Sequence, residues 1–463
     1  MSSKKVVILN GTGNGEDCFD SPFSVLMDKL NHNNADVSVY RLKDLTLAHC
    51  TGCFGCWVKT PGTCVASDEG RKIIQSVIQS DMTILYSPVT FGGYSSVLKI
   101  IVDRFIPLVL PFFGHFHGET HHTRRYSRYP RLVGIGVRHK DKSDEDELFK
   151  ALVGRNAINF HAPSFAADVI SCEDDIEKMK KQLKNVITRS DPMPNFNDIA
   201  SFFPKEVEKK SFDVRHKVPG NVLLIVGSPK IKHRSTSAIL GEYLLEIMKS
   251  AGWKAQVLTL NRRLDREKGQ IELCSAVDRS DLIILSFPLY IDSLPYLVTK
   301  ALEVIASHKK RSQVKKPQRI FTIINNGFPE NRQNALALAI CRCFADQCGL
   351  SWSGALALGA GEALGGGQEL TQKRRSGPPV THVIKALDQA GQELAKGNTV
   401  YYDTQSLISK TPIPIIPFGM WNWIFTKLGG RWWIQQAVEN GVTKEEMFAK
   451  PYDDKLPLKP ALT

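Results

Sequence analysis

Four cysteines that lie within fifteen positions of one another are the residues best suited to chemistry in this sequence. They are Cys50, Cys53, Cys56 and Cys64. Their spacing is C-x2-C-x2-C-x7-C, and the three glycines between them would let the backbone wrap closely around a bound group. Four thiolates in so compact a loop can ligate a 4Fe–4S cluster. We therefore predict that these four cysteines are metal ligands.

Two other uses of the four thiols remain open. Structural zinc sites built from cysteine usually have two C-x2-C pairs well separated in sequence, whereas here three cysteines follow one another at x2 intervals. The spacing also departs from the bacterial ferredoxin run, in which about three residues precede the last cysteine and a proline follows it. Here seven residues intervene and Val65 follows Cys64. The thiols could also remain free of metal, either inert or redox-active.

A hydroxyl-rich stretch, "GSPKIKHRSTS", follows an apolar run of strand length at residues 221–227. Backbone N–H groups at a helix N-terminus favour an anion, and hydroxyl and basic side chains there add donors and positive potential. The stretch lacks both the dinucleotide fingerprint and the P-loop spacing, so a mononucleotide such as FMN suits it better. The predicted phosphate contacts are Ser228, Ser235, Thr236 and Ser237.

Two further loops follow later strands of the same half. After residues 281–288 comes "PLYIDSLP", which could present a flat apolar face to a ring system, and after residues 319–325 comes "NNGFPEN". Clusters of Pro, Asn and Gly usually only turn the chain. Their place at strand ends makes them ring contacts in our prediction, namely Pro288, Leu289, Tyr290, Asn326 and Gly327. A glycine-rich stretch at 359–367 is expected to form a mobile rim.

The elements that must position these residues follow one plan twice. Apolar runs of strand length alternate with stretches of helical period, which predicts an α/β fold with parallel sheets. The order repeats at an offset near 215 residues, so we predict two tandem doubly wound five-stranded sheets with ligands at the carboxyl ends of their strands. The expected domains are residues 1–190, a linker at 191–218, residues 219–400, and an aromatic tail at 401–463 that packs on the second domain.

The first half differs from the second in its opening loop, "NGTGNGEDCFD". Its carboxylates, Glu16, Asp17 and Asp20, would repel a phosphate dianion, so flavin binding here is less favoured. The loop at 88–94 occupies the position that would face a ring. The six remaining cysteines are interpreted as small buried side chains. They are Cys18, Cys172, Cys274, Cys341, Cys343 and Cys348.

Composition sets the broad class. The chain has 463 residues, 42% apolar and 23% charged, which is the balance of a globular protein with two or three cores. The net charge of +13 favours acidic partners, but only residues 121–131 interleave basic and aromatic side chains, so we expect no nucleic-acid partner. Without an apolar run long enough for a membrane span or a leader, we expect a cytoplasmic protein.

The motifs "GSPK…STS", "PLY" and "NNG" resemble the flavodoxin-like NAD(P)H-dependent FMN reductase and iron–sulfur flavoprotein family, here in tandem form. The resemblance implies FMN held by the three loops of the second unit, NAD(P)H as electron donor, and an acceptor that is unknown. The compact cysteine motif is similar to that of iron–sulfur flavoproteins. The alternatives are a non-catalytic electron carrier or redox sensor, and a quinone or nitro-compound reductase with metal-free cysteines. The protein could also be a homo-oligomer.

Overall fold

The structure is a computed structural model that describes residues 3–139, 143–203, 218–230, 235–312, 316–361, 369–370, 379–410 and 416–453. Its chain divides into two compact units. The first comprises residues 1–196 together with 424–463, and the second comprises residues 197–423.

The first unit contains a five-stranded, all-parallel sheet in the order β2-β1-β3-β6-β7. The strands of this unit are β1 (Lys5–Asn10), β2 (Asp36–Arg41), β3 (Met82–Pro88), β4 (Val109–Phe116), β5 (Glu119–Arg124), β6 (Arg131–Arg138) and β7 (Phe165–Ser171). Its helices are α1 (Asp20–His32), α2 (Gly55–Val58), α3 (Gly70–Gln79), α4 (Ser96–Val102), α5 (Ser143–Asn159) and α6 (Ile176–Thr188). The central strands are buried on both faces, as parallel strands covered by helices must be.

An antiparallel pair, β4 and β5, lies outside the main sheet and was not expected from the sequence. It contains the aromatic run at 109–116. Within the neighbouring stretch 121–131, His121, Arg125, Tyr126 and Tyr129 are buried in the unit, whereas Arg124 and Arg128 are exposed.

The second unit repeats the order as β9-β8-β10-β11-β12, again all parallel. Its strands are β8 (Asn221–Val226), β9 (Lys254–Thr259), β10 (Leu282–Pro288), β11 (Arg319–Asn325) and β12 (Ser351–Leu358). The remaining helices of the chain are α7 (Phe196–Ile199), α8 (Thr236–Ser250), α9 (Glu267–Arg279), α10 (Tyr296–Arg311), α11 (Ala335–Gln347), α12 (Thr381–Ala395), α13 (Tyr402–Ile408) and α14 (Phe418–Glu439). The prediction of two tandem flavodoxin-like, doubly wound sheets is confirmed.

Glycines at the end of the first strand show how closely the two units share one backbone plan. A Cβ atom on Gly11 would lie 2.5 Å from Cβ of Leu98 on α4, and one on Gly227 would lie 2.3 Å from Cγ2 of Val298 on α10. Both amides donate at 2.8 Å to a carbonyl of the third strand of their sheet, on Tyr86 and Ser286 respectively. The opening loop of each unit therefore passes directly against the helix that follows the third strand, α4 in the first unit and α10 in the second.

The tail does not pack as predicted. Residues of 401–463 up to Trp423 belong to the second unit, but Ile424 and all later residues belong to the first. The tail joins the first unit because it supplies four of the eight residues of an apolar cluster around the cysteine loop. The cluster consists of Cys56, Trp57, Val58, Val109, Trp433, Ala437, Val442 and Met447.

Trp57 and Trp433 form the centre of this cluster. Their rings meet edge to face with centroids 4.9 Å apart. The Trp57 indole N–H also donates to the carbonyl oxygens of Val109 at 2.9 Å and Ile106 at 3.1 Å, which ties the cysteine loop to β4. Such aromatic pairs stabilise beyond their buried area, so the tail holds the cysteine loop in place.

We predict that Trp433→Ala releases the tail from the first unit. Trp433 is 6% exposed, and truncating a buried tryptophan costs about 3–5 kcal/mol. Alkylation of the buried Cys56, followed by mass spectrometry under native conditions, should become faster by at least tenfold. The matched control is Trp423→Ala on the same helix, because Trp423 is 63% exposed. Equal protection of Cys56 in both variants would contradict the role of the tail.

Candidate functional site

The cysteine loop follows β2 and turns by means of left-handed backbone. Gly52 has a φ of 63° and Phe54, which precedes α2, has a φ of 52°. A Cβ on Gly55 would lie 2.5 Å from Cγ1 of Val65 and 3.6 Å from Sγ of Cys53. Glycine is therefore needed here so that the two ends of the loop can approach each other.

Two arginines fix the far end of this loop. Arg71 donates from Nε to the carbonyl oxygens of Cys64 at 2.8 Å and Ala66 at 2.9 Å. Arg104 pairs with Asp68 through two contacts of 2.7 Å, and its interactions extend to the thiol of Cys64. Asp68 in turn accepts from the amide of Ala48 at 2.7 Å, so one ion pair joins both ends of the cysteine loop.

Arg125 is a second buried cation beside the cysteines. Its guanidinium donates to four carbonyl oxygens, those of Pro107 (2.8 Å), Met447 (2.8 Å), Ala449 (2.7 Å) and Val109 (3.4 Å). Carbonyl oxygens carry no formal charge, so these bonds satisfy the donors without neutralising the cation. Burial lowers the pKa of Arg125, while nearby Tyr126 and Cys56 act in the opposite direction. Negative charge on sulfur ligands would offset this cation.

Burial favours the protonated form of two of the four thiols, those of Cys50 and Cys56. Burial raises the pKa of Cys50 to about 12 and that of Cys56 well above its usual value, with neighbouring cysteines adding to both shifts. Protonated thiols are poor nucleophiles, and metal binding would have to displace their protons.

The spacing of the sulfur atoms distinguishes two kinds of metal site. Ligand atoms around one tetrahedral zinc lie about 3.8 Å apart, as Zn–S bonds of ~2.3 Å require. Within the described part of the chain, no three of these four sulfur atoms lie within 4.8 Å of one another. Sulfurs that ligate different irons of a cluster lie farther apart than those around a single ion. The loop therefore fits a 4Fe–4S cluster better than zinc.

In the second unit, the hydroxyl-rich stretch lies where it was predicted, at the start of α8. Ser235 caps the helix, because its Oγ accepts from the amide of Ala238 at 3.1 Å. Ser237 is buried and donates to Oδ1 of Asn325 at 2.8 Å, and Thr236 donates to the carbonyl of Gly361 at 3.3 Å. The amides of Thr236 and Ser237 make no hydrogen bond to any described residue. The donors available to an anion are thus backbone amides more than hydroxyls.

The loop after β10 contains a tight turn with unusual backbone. Tyr290 and Ser293 exchange two backbone hydrogen bonds, of 2.9 and 3.2 Å, and the residues between them have φ values of 49° (Ile291) and 56° (Asp292). A β-branched residue in the left-handed region is a genuine outlier, and such strain is concentrated at functional sites. Residues 288–291 are partly exposed, so the turn can meet a ligand.

The third loop joins the other two. The amide of Leu289 donates to the carbonyl of Asn325 at 2.8 Å, which connects it to the loop after β11. Asn326 is buried; its Nδ2 donates to the carbonyl of Glu330 at 3.0 Å, and its Oδ1 accepts from Asn334 at 3.2 Å. Gly327 is exposed, with nothing within 4 Å of a Cβ placed on it. Its backbone, rather than the Asn326 amide, is available to a ring.

All nine predicted flavin contacts thus lie at one edge of the second sheet, in the loops after β8, β10 and β11. The hydroxyl of Ser237 and the side chain of Asn326 serve the fold of that edge. The basic residues Lys232, His233 and Arg234, and residues 362–367 of the predicted rim, lie outside the described residues.

The corresponding edge of the first unit differs in two ways. The carboxylate of Glu16 accepts a hydrogen bond from the amide of Gly13, so an internal anion already occupies the opening loop. The turn at 90–93 has the same backbone as 290–293, but it is buried, and a Cβ on Gly92 would lie 2.6 Å from Leu148 of α5. Residues 88 and 91–94, which we expected to face a ring, are all buried.

Residues 4–146 match the model of the NADPH-dependent FMN reductase family. The match lies within the first unit and leaves the second unit uncovered. It is also similar to an iron–sulfur flavoprotein of Methanocaldococcus jannaschii, with 41% identity over 71 residues, which are 15% of this chain and 36% of that protein. An iron–sulfur flavoprotein of Archaeoglobus fulgidus is 23% identical over 100 residues, 22% of this chain and 48% of that protein. The chain therefore spans less than half the length of the relatives it matches.

Solved structures of similar fold include an NAD(P)H:quinone oxidoreductase from Methanothermobacter marburgensis. The two chains are 14% identical, the match covers 38% of this chain and 99% of that chain, and the TM-score is 0.28. An azoreductase from Bacillus anthracis has 11% identity, covers 38% and 99% of the two chains, and has a TM-score of 0.27. Among the described residues of this protein, no helix has the length and apolar character needed to cross a bilayer.

The sequence motifs did not predict the charged residues beside the two loops or the strained turn of the second unit. Glu16 was noted only as a repulsive group, although it fills the loop by accepting from Gly13. Arg104 and Arg125 carried no motif; Arg104 closely follows an apolar run, whereas Arg125 lies in a polar stretch that gave no signal of burial. The turn at Ile291–Asp292 could have been suspected, since the equivalent first-unit turn reads Phe91–Gly92 and contains a glycine.

We predict that Ile291→Asn stabilises the second unit by about 1 kcal/mol, because asparagine tolerates a positive φ far better than a β-branched side chain. The free energy of unfolding of the second unit is measured by denaturant unfolding, with hydrogen exchange of the amides of β10 and β11 as the readout. The control is Ile271→Asn, in the regular helix α9, where the side chain is 58% exposed and a change within about 0.5 kcal/mol is expected. A destabilised Ile291→Asn would show that the turn is not strained.

Proposed function

We propose that the protein is an FMN-dependent oxidoreductase that takes electrons from NAD(P)H and passes them to an acceptor. FMN would bind at the carboxyl edge of the second sheet, and a 4Fe–4S cluster would be held by the cysteine loop of the first unit. The family match of residues 4–146 supports the reaction class. That match lies on the first unit and does not locate the flavin. Its location is inferred from the difference between the carboxyl edges of the two sheets.

The observation that carries the location is the contrast between the two edges. In the second unit the first amides of α8 are without a partner among the described residues, and the strained turn at 290–293 is partly exposed beside them. In the first unit the Glu16 carboxylate accepts from an amide of the opening loop, and α5 covers the turn at 90–93. A phosphate dianion is attracted by the first arrangement and repelled by the second.

FMN, when bound, accepts a hydride from a nicotinamide and releases electrons one at a time, and this chemistry belongs to the cofactor. The chain's own residues bind and orient it. The amides of Thr236 and Ser237 would bind the phosphate, and the turn from Leu289 to Asp292 would lie against the ring. The exposed backbone of Gly327 would provide a donor at the ring edge, and no side-chain acid or base is required for hydride transfer.

The cysteine loop would hold a one-electron centre. Its fit rests on the sulfur spacing, which is too wide for a single zinc ion, and on the buried cations of Arg104 and Arg125. A buried cation whose donors meet only neutral carbonyls is costly unless a negative group lies near. A cluster with four thiolate ligands is anionic, so Arg125 would stabilise it and favour its more reduced, more negative state.

We predict that Thr236→Asp weakens FMN binding by at least tenfold, about 1.4 kcal/mol. The substitution places a carboxylate at the first position of α8, where it is favourable for the helix but repels phosphate. The first unit already carries Asp20 at the equivalent first position of α1. Quenching of FMN fluorescence during titration gives the affinity, and steady NAD(P)H oxidation gives the activity.

The matched control is Ser21→Asp, which adds the same charge at the start of α1 and should change the FMN affinity less than twofold. If Ser21→Asp were the variant that loses FMN while Thr236→Asp retains it, the flavin would belong to the first unit. If the unaltered chain neither bound FMN at micromolar concentration nor oxidised NAD(P)H, the proposed function itself would be wrong.

We predict that the anaerobically reconstituted chain contains iron and acid-labile sulfide in equal amounts, about four of each per chain. Cys64→Ser should lose both, since it removes one of the four ligands. Cys343→Ser, in α11 of the second unit, is the control and should retain both. Iron analysis, sulfide analysis and the dithionite-sensitive visible absorbance measure the outcome. Zinc in place of iron, lost in Cys64→Ser but retained in Cys343→Ser, would contradict the cluster.

A further inference from the structure

Three side chains with metal-binding atoms meet at the carboxyl edge of the first sheet. Sγ of Cys18 lies 3.4 Å from Nε2 of His139, and Sγ of Cys172 lies 3.5 Å from Nδ1 of the same ring. One ligand atom from each of the three lies within 4.8 Å of the others. Among the described residues this is the only such group of three or more cysteine, histidine or acidic side chains.

The fold fixes the three residues relative to one another. Cys18 lies in the short turn before α1, while His139 and Cys172 directly follow the neighbouring strands β6 and β7. The amide of Cys172 donates to the carbonyl of Arg138 at 2.8 Å, and Oγ of Ser171 donates to the carbonyl of His139 at 2.9 Å. The parallel ladder therefore holds two of the ligands.

The remaining ligand is held by packing against the histidine. The ring of Phe19, next to Cys18, meets the ring of His139 with centroids 5.1 Å apart. Phe19 is buried, and its carbonyl accepts from the hydroxyl of Tyr86 at 2.6 Å. Cys18 is thus exposed at its sulfur but attached to a fixed neighbour, so the meeting of the three side chains does not depend on a mobile surface.

We propose that Cys18, His139 and Cys172 form a binding site for a thiophilic divalent ion of the zinc type, with its fourth position open to solvent. Two thiolates and one imidazole are a ligand set that zinc prefers. Around a zinc ion with bonds of ~2.0–2.3 Å, sulfur and nitrogen ligands lie about 3.5 Å apart. Each sulfur lies at about this distance from one nitrogen of the His139 ring, Cys18 from Nε2 and Cys172 from Nδ1. One ligand atom of each residue lies within 4.8 Å of the others, so an ion bound at either nitrogen requires the sulfur beside the other nitrogen to move closer.

This site would occupy, in the first unit, part of the edge at which the second unit is proposed to bind FMN. The ion would connect the loops after β1, β6 and β7, three of the loops that form a ligand site in this fold. The two units would then use the same edge for different cofactors. The prediction that Cys18 and Cys172 are small buried residues is wrong, because Cys18 is exposed and Cys172 is half-buried.

Zinc titration of the anaerobic, fully reduced full-length chain tests the proposal. Because the cysteine loop could also take zinc, the measurements use a Cys53→Ser/Cys64→Ser background in which that loop lacks two ligands. Competition with a chromophoric chelator gives the affinity, and cobalt substitution gives thiolate-to-metal charge-transfer absorption. We expect one tight equivalent per chain in this background.

Adding Cys18→Ser, His139→Ala or Cys172→Ser should weaken zinc binding by more than about 100-fold, since loss of an outer partner alone costs 10–100-fold. Adding Cys343→Ser is the control and should change nothing. Unchanged affinity in the Cys18→Ser and Cys172→Ser variants would overturn the site. Absence of tight zinc in the background chain would overturn it as well. FMN titration of the same variants should be unaffected, so the result is independent of the proposed flavin site.

Discussion

The constraint on which the rest of the structure depends is the parallel ladder of each sheet. Because every strand points the same way, the loops that leave β1, β3, β6 and β7 all begin at one edge, and those of β8, β10, β11 and β12 do the same in the second unit. The glycines at 11 and 227 let the first loop pass directly against the helix that follows the third strand. Residues far apart in sequence are therefore brought within hydrogen-bonding distance, as Leu289 and Asn325 show.

The two units share one backbone arrangement, but the carboxyl edges of their sheets differ in electrostatic character. In the first unit a carboxylate satisfies the amide of Gly13, and α5 covers the turn at 90–93. In the second unit the first amides of α8 have no partner among the described residues, and residues 290 and 291 of the turn are partly exposed, while 292 and 293 are buried. The second left-handed position of the turn holds Asp292 where the first unit has Gly92. Backbone strain of this kind persists only where the surrounding structure enforces it, and it is concentrated at functional sites. The two edges therefore differ in which groups they leave open to a ligand.

The sequence predicted the fold because burial and period determine it. Strands with uninterrupted apolar runs, such as β3 and β10, were placed within one residue, since strands buried on both faces have no polar alternation to mislead the assignment. The β4–β5 pair and the position of the tail were missed. The tail packs around Trp57 although its residues lie more than 300 positions away in sequence, and such a contact leaves no local period. The β4–β5 pair also adds a strand, β4, to the same cluster through Val109.

The candidate sites were predictable to different degrees for a related reason. The cysteine loop and the loops of the second unit are contiguous motifs, so their residue types could be recognised from spacing alone. Cys18, His139 and Cys172 are separated by more than 30 residues at each step, and no motif links them. Once the strands are assigned, however, each of the three falls within eight residues after the end of a parallel strand. Because those ends share an edge, chemistry-bearing residues that follow strands must be considered together, and it is this rule rather than any local pattern that brings the three ligands into one site.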